Sequence, residues 1–413
     1  MRCNMNRQPT PRLREAGPED YPGIARLATR YEMPPEPWKT WASLWLRNPA
    51  YKPGMPIGWV LERAKEIVGW FANVPLHYVL NGELVRTMTP RSWVVDEDVR
   101  TFAVLLADTF LRQQNVDLFL STSGNKHGSA GLAAVGARQI PQQIAPECAF
   151  WVTGYRGFAA SYLQLKNILR ANALAHAAGA AVWLLDTFRP SLPHINTVRR
   201  NREFGEEFDN FWCELRRVRE HILLGRRDRA ALDWHFGGAL RSGRGWLFTY
   251  HDKGRMTAYS LFLRSDHSVV GLRRMILADF QQIEEDENAL AAMLRAAADE
   301  SRQQGIHCVQ ILSSRLEASA VVQRLSPHKR VKPSASMSYL YAASGALGSQ
   351  LNHQNYWDIS IFDGDSSLYP AETEGSIIAP NVLQCPATQA AQSSARNAGQ
   401  NWGSLLPSGG VDE

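Results

Sequence analysis

RSWVVDEDVRTFAVLLADTFLRQQNVDLFLSTSGNKHGSAGLAAVGA, residues 91–137, carries the pattern that decides the fold. An apolar strand ending Trp93-Val94-Val95 meets an acidic turn, Asp96-Glu97-Asp98, and then Arg100. Val104, Leu105, Ala107, Phe110 and Leu111 follow at helical spacing. A second strand is expected over residues 116–120, bounded by Asn115 and by the small polar cluster 121–124. Asn125 then opens a short small-residue helix that stops at Gly136. The unit is therefore strand, turn, helix, strand, helix.

Working outward, residues 18–28 predict a helix with Ile24, Ala25, Leu27 and Ala28 on one face. Trp38, Trp41 and Trp45 recur at helical spacing, which points to a core face more than to a ligand contact. GWVLER (58–63) and EIVGWFANV (66–74) read as paired strands. Asn81-Gly82 between apolar runs marks a hairpin joining 78–80 to 84–88. One more strand, 148–153, closes this half.

The chain then repeats itself. Trp45 and Trp234, Gly58-Trp59 and Gly245-Trp246, Trp70 and Tyr259, and Arg112-Gln113-Gln114 and Arg302-Gln303-Gln304 pair off in order, at a nearly constant offset of roughly 190 positions. Two copies of one domain are expected: 1–154, a helical connection 155–200, and 201–343, closing with a strand over 337–341. Residues 344–413 form an extension. Tyr356-Trp357 and residues 359–362 are expected to dock back, and the Ala/Gln/Ser/Asn-rich remainder to form a disordered tail.

Composition excludes several classes. With 413 residues, two domains are the expectation. A net charge of +5 is small for this length and does not argue for nucleic-acid binding. Five scattered cysteines without a Cys-x-x-Cys disfavour a disulfide framework or a zinc site, so no metal is assigned and a cytoplasmic setting is expected. The start lacks the apolar core of a signal peptide. Residues 171–188 are Ala-rich and apolar, but Asn172, His176 and Asp186 favour a buried or interfacial helix over a membrane span. Asp363-Gly364-Asp365 alone is too little for a calcium loop.

The order of elements around residues 91–137 resembles the GNAT superfamily of acyl-CoA N-acyltransferases, and the duplicated chain resembles tandem GNAT-fold proteins of bacteria over about residues 13–343. The resemblance implies an α/β (α+β) fold of two GNAT-like domains, each a mixed, largely antiparallel sheet flanked by helices. It implies acyl transfer from acyl-CoA, acetyl-CoA or longer, to a small-molecule amine such as an amino sugar or amino acid, as in relatives linked to surface polysaccharide. Val94, Val95, Arg100, Thr101, Ala103 and Asn125 then stand at the family's cofactor positions. Ala103 and Leu105 occupy the two glycine positions of the pyrophosphate loop, and Leu132 the place of the usual tyrosine acid. Asp96, Glu97 and Asp279 are the candidate bases, with Asp98 beside them. In the second copy residues 280–286 read as an acidic loop, hostile to pyrophosphate, and Arg273-Arg274 as a solvated pair. Two other readings stand open. One is a non-catalytic GNAT pair acting as a binding or scaffold protein. The other is a Fem-type aminoacyltransferase, whose fold is shared and which uses aminoacyl-tRNA.

Overall fold

Two mixed sheets, each built from both halves of the chain, organise the protein. The computed structural model describes residues 9–33, 36–124, 126–142, 147–168, 170–189, 197–312, 320–331 and 338–368. The tail expected beyond residue 368 and Asn125 lie outside the described residues.

The first sheet contains β1 (Arg12–Glu15), β2 (Gly58–Arg63), β3 (Glu66–Leu80), β4 (Glu83–Val95), β5 (Leu118–Gly124) and β6 (Arg138–Gln139). The second contains β7 (Glu147–Val152), β8 (Val198–Asn201), β10 (Gly245–Asp252), β11 (Arg255–Arg264), β12 (Arg274–Gln282), β13 (Cys308–Ile311) and β14 (His328–Val331). A short strand β9 (Leu224–Gly225) adds to β3, and β15 (Ser338–Ala343) lies between β5 and β6. Helices α1 (Tyr21–Arg30), α2 (Trp38–Leu46), α3 (Ala103–Leu111) and α4 (Lys126–Ala134) flank the first sheet. The hairpin α5 (Tyr155–Leu165) and α6 (Ala171–Thr187) follows, then α7 (Glu207–Val218), α8 (Arg229–Arg241) and α9 (Glu287–Gln303).

The internal repeat is visible in the topology. The first sheet runs β1-β2-β3-β4-β5-β15-β6 and the second β8-β10-β11-β12-β13-β7-β14, with one parallel junction each, β4 with β5 and β12 with β13. A bulge at Leu61/Glu62 recurs at Tyr250/His251, at the same offset as Trp45 and Trp234.

The closing strands, however, are exchanged. β7, expected to complete the first half, pairs with β13 and β14 in the second sheet. β15, expected to complete the second half, pairs with β5 and β6 in the first. Both segments are short apolar strands, so local pattern cannot assign either to a sheet. The partner edge decides: β7 pairs along β13, from Val152 with Cys308 to Ala149 with Ile311. The exchange ties the two sheets together, because neither can be completed without strand from the other half.

Other expectations are corrected at element boundaries. The two short strands read over 66–74 and 78–80 are one 15-residue strand, β3, despite Pro75. Likewise 84–88 and 93–95 are parts of the single 13-residue β4, despite Pro90. Asn73 donates its amide to Ile57, away from β4. Alternation then turns Pro75 away from β4 also, beyond the end of β2. Pro90 sits opposite Asn73, so its nitrogen faces the β5 side, where pairing has already ended. Neither proline removes a ladder bond. Asn81-Gly82 forms the expected hairpin turn, both residues with positive φ.

The tryptophan helix packs inward: Trp41 and Trp45 are buried with Trp70, and the Trp45 indole donates to Asn73 O at 2.7 Å. Trp234, its counterpart in the repeat, donates to Ser43 O at 2.9 Å across the two halves.

Candidate functional site: a parted strand pair filled by the C-terminal segment

The parallel junction of the first sheet is short. β4 and β5 pair at Thr87 with Leu118 and at Met88 with Phe119, and then part. β4 continues along β3 to Val95, and β5 continues along β15 to Gly124. Residues 358–368 lie in the cleft between the two halves and reach this opening. Trp357 and Ile359 join the core cluster of Tyr78, Leu120 and Tyr341, and Leu368 joins that of Trp41, Trp70 and Val94. The docking expected for 356–362 is thus present and extends to Leu368.

Asp365 occupies the edge of β5. The register of β5 against β15 slips between Ser338 and Leu340. Beside that slip, the successive amides of Thr122 and Ser123 both donate to Asp365 Oδ1, at 2.8 and 3.2 Å. The Ser123 hydroxyl donates to Oδ2. Ser366 Oγ donates to Thr122 O at 2.9 Å, and Thr122 Oγ1 to Asp363 O at 2.7 Å. Burial pushes the Asp365 carboxyl above the usual carboxylate range, while these donors favour its charged form. Gly364 between the two aspartates has φ +63°, and a Cβ there would stand 2.5 Å from Thr122 Oγ1.

A second polar cluster holds the same segment from the opposite side. Arg227, between β9 and α8, is 1% exposed. Its guanidinium donates to both carboxylate oxygens of Asp279, at 3.0 and 3.2 Å, and to Gly225 O at 2.9 Å. It lies 3.6 Å from Asp363 and over the Phe362 ring at 4.1 Å. Tyr259 OH donates to Asp279 at 2.5 Å, and Tyr78 OH to Asp363 at 3.1 Å. Two carboxylates thus share one guanidinium. Burial pushes Asp363 up to about 6, against the pull of Arg227. Burial also raises both tyrosines well above their ordinary value, and the adjacent carboxylates add to it. Beside this cluster His235 Nε2 is sealed from solvent with no hydrogen-bond partner among the described residues. Burial, then the charge of Arg227, lowers its pKa to about 3. The adjoining cavity, lined by His77, Tyr78, Trp234, His235 and Phe362, has a volume of about 20 Å³, room for one water and no substrate group.

The residues expected at the site fall into two groups. Val94 is buried against the tryptophan cluster, and Val95 packs on the other face of the sheet. Asp96 pairs with Arg30 at 2.8 Å and Asp98 with Arg63 at 2.7 Å. Glu97 and Arg100 are exposed and lie 3.5 Å apart. Thr101 is exposed, and Ala103 begins α3. These residues line the turn that leaves the opening. Leu105, in a glycine position of the family loop, projects to solvent, whereas Leu132 is core.

Asp279 belongs to the other sheet and shares no partner with Asp96 or Glu97. Residues 280–282, expected as loop, continue β12, and Asp279 lies inside the strand. The strand tolerates these polar residues because Asp279 and Gln281 are both hydrogen-bonded, Gln281 to Arg219 at 2.7 Å. Arg274, expected to be solvated, is buried and donates to Ser265 O at 2.6 Å. Sequence reasoning passed over Arg227, Asp363 and Asp365 as functional candidates. The available signal for the two aspartates was carboxylates directly after Ile359, Ile361 and Phe362 in ISIFDGDSSLY, and Arg227 carried none.

The parallel junction of the second sheet is longer, from Arg274 with Cys308 to Leu277 with Ile311. Phe362 N donates to Ala278 O at 3.1 Å just beyond it. The following helix, α9, begins under Asp286, whose carboxylate accepts from Asn288 N at 2.8 Å. Its amide end is therefore already met by an anion. The start of α3 has no such side-chain cap.

No family model matches the chain, and no curated protein matches it in sequence. Solved structures match its fold. A protein of unknown function from Enterococcus faecalis V583, described as a probable N-acyltransferase, superposes with a TM-score of 0.51 at 10% identity, covering 81% of this chain and 73% of that one. A GCN5-related N-acetyltransferase from Anabaena variabilis ATCC 29413 matches with a TM-score of 0.49 at 13% identity, covering 81% and 72%. Saccharomyces cerevisiae N-myristoyltransferase, solved with myristoyl-CoA, matches with a TM-score of 0.48 at 10% identity, covering 82% and 80%. In architecture, with two mixed sheets in repeated order and helices on their faces, the chain shares the fold of the E. faecalis protein.

Proposed function

We propose that the protein is an N-acyltransferase that takes its acyl group from acyl-CoA at the opening between β4 and β5. The parting of these strands after two paired positions carries this reading. It leaves strand edge to which an amide-bearing chain can hydrogen-bond, as a third strand would. The turn that leaves the opening supports it further. Arg100 is exposed there, on the 3-10 turn Glu97–Phe102 that runs directly into α3, and its guanidinium offers a contact to an anion. Val94, Val95, Arg100, Thr101, Ala103 and Asn125 would hold the cosubstrate. The probable N-acyltransferase from E. faecalis, which shares the fold, agrees with this chemistry.

In such a reaction the acceptor amine attacks the thioester carbonyl, the carbon–sulfur bond breaks, and the amine loses a proton to a base. Asp96 sits in an ion pair and Glu97 lies in solvent, so neither is placed in a protected cleft. Asp279, on β12 and held by Arg227 and Tyr259, is the carboxylate that stays in the cleft when residues 363–366 move, and the proton acceptor role is assigned to it. Since residues 363–366 fill the cleft and Asp365 holds the β5 edge, both the acyl-CoA chain and the acceptor enter only when they shift. The acceptor class fits a small amine, such as an amino sugar or amino acid.

A second reading, a non-catalytic binding protein, is favoured by one observation: the chain's own Asp365 occupies the β5 edge. Calorimetric titration with acetyl-CoA and a long-chain acyl-CoA separates the two. The enzyme reading expects binding that weakens at least about tenfold in Arg100→Glu, the loss of one charge-assisted contact. Absence of binding heat with either ligand supports the second reading instead.

A further inference from the structure

The α5–α6 hairpin shows a face that the fold leaves open. α6 contacts the rest of the protein along a narrow stripe, Ala171, Ala175 and Gly179, all buried. Gly179 permits the close approach: a Cβ there would stand 3.0 Å from the backbone of Tyr155 and Arg156. The opposite side of the helix is apolar and exposed. Leu174, Trp183 and Leu184 are each about half exposed, and Phe188 just beyond the helix is 83% exposed. Ile168, in the link between the helices, extends the same character. Leu184 and Phe188 lie opposite the stripe, with Leu174 and Trp183 on its two flanks, and exposed apolar groups this dense on a folded protein mark an interaction surface.

Charge identifies the partner. Between residues 155 and 189 the hairpin carries four basic side chains, Arg156, Lys166, Arg170 and Arg189, and one acidic, Asp186. Asp186 is turned inward, 2.7 Å from His328 and 3.1 Å from Arg189. Arg189 is held inward with it, donating to Ser326 O at 2.5 Å, so Arg156, Lys166 and Arg170 are the basic groups of the hairpin beside its exposed apolar side chains, with no exposed acid among them.

We propose that this face docks reversibly on an anionic lipid surface. Apolar side chains entering the headgroup boundary, with basic groups around them, are the features such a surface selects. Trp183 has the amphipathic ring suited to that boundary. The helix lies on the surface and does not cross it: its inner stripe is packed on α5, and among the described residues no helix is long and apolar enough to span a membrane. A second copy is the poorer occupant. A two-fold contact sets each patch against itself, and the two basic surrounds would meet with no acid between them.

The proposal is independent of the acyl-transfer reading, and its test uses no acyl-CoA. Full-length protein is sedimented with vesicles of phosphatidylcholine alone and of phosphatidylcholine with phosphatidylglycerol, at low and high salt. Preferential sedimentation with the anionic vesicles, weakened by salt, is expected. Leu184→Glu and Arg170→Glu, both at exposed positions, should each lower the bound fraction, Leu184→Glu by at least about tenfold in partition coefficient, with unchanged thermal melting. Equal binding to both vesicle types, no binding to either, or binding unaffected by both variants overturns the proposal. So does a concentration-dependent dimer in analytical ultracentrifugation that Leu184→Glu dissolves without any vesicle binding, which assigns the face to a second copy.

Discussion

The two parallel junctions of this molecule occupy equivalent places in the repeated strand order and differ in form. In the first sheet β4 and β5 separate after two paired positions and lead into an exposed turn with Arg100. In the second, β12 and β13 stay together for four, and β12 carries its carboxylate Asp279 into a buried ion pair with Arg227. The helix start beyond the first junction has no side-chain cap, whereas the one beyond the second is met by Asp286. The repeated strand order thus holds an opening in one sheet and an anchor at the equivalent place in the other. The C-terminal segment spans both, with Asp365 on the β5 edge and Asp363 against Arg227.

The anchor can be broken most severely at its cation. Arg227→Met leaves Asp279 and Asp363 buried without their counter-charge and should cost about 3–5 kcal/mol of stability, read by denaturant unfolding. An unchanged midpoint would show that the two halves do not depend on this pair.

Asp365→Ala attacks the other end. It leaves the Thr122 and Ser123 amides without their acceptor and should cost about 1–3 kcal/mol in the same measurement. If acyl-CoA binds more tightly to this variant than to the parent, the segment competes with the ligand for the opening. If affinity is unchanged, the segment forms a wall of the site.

Acidity distinguishes the groups at the anchor. His235 has a native pKa near 3 against an ordinary 6.5, so the unfolded chain binds more protons between these values. Its contribution is present above pH 6.5 and is lost as the pH falls toward 3. Asp363 acts oppositely. Raised from 3.8 to about 6, it binds more protons in the native state, and its contribution declines as the pH rises through that window. Thermal melting of His235→Asn should therefore move in the variant's favour relative to the parent between pH 7 and pH 4. A pH-independent difference between the two would refute the assignment.

Changes at the turn should have the smallest effect on stability. Leu105→Gly, at an exposed helical position, should cost about 0.5–1 kcal/mol. Asp96→Asn, losing a partly exposed pair with Arg30, should cost less than about 1 kcal/mol.

Much of the architecture is readable in the chain because it rests on local pattern. The repeat shows in Trp45 and Trp234 and in the paired glycine-tryptophan steps, which mark the same helix and the same strand in each copy. The hairpin at Asn81-Gly82 follows from its backbone geometry, and α1 from its face of Ile24 and Leu27, both buried. The candidate site is only half readable. Val94, Val95 and the turn to Ala103 follow one another in the chain, so a strand and the turn after it are legible there. Arg227, Tyr78, Asp279 and Asp363 come from four distant segments, and no spacing links them.

The sequence by itself therefore determined the repeated order of strands and helices, the tryptophan core and the turn at the opening, all set by side-chain periodicity and turn chemistry over a few residues. Tertiary structure alone decided three things: which sheet receives β7 and β15, that Pro75 and Pro90 lie within continuous strands, and that residues 358–368 seal the cleft. These depend on what lies opposite each segment in space. An apolar strand fits either sheet by its own pattern, and a buried aspartate is tolerable only where an arginine or a pair of free amides is already waiting.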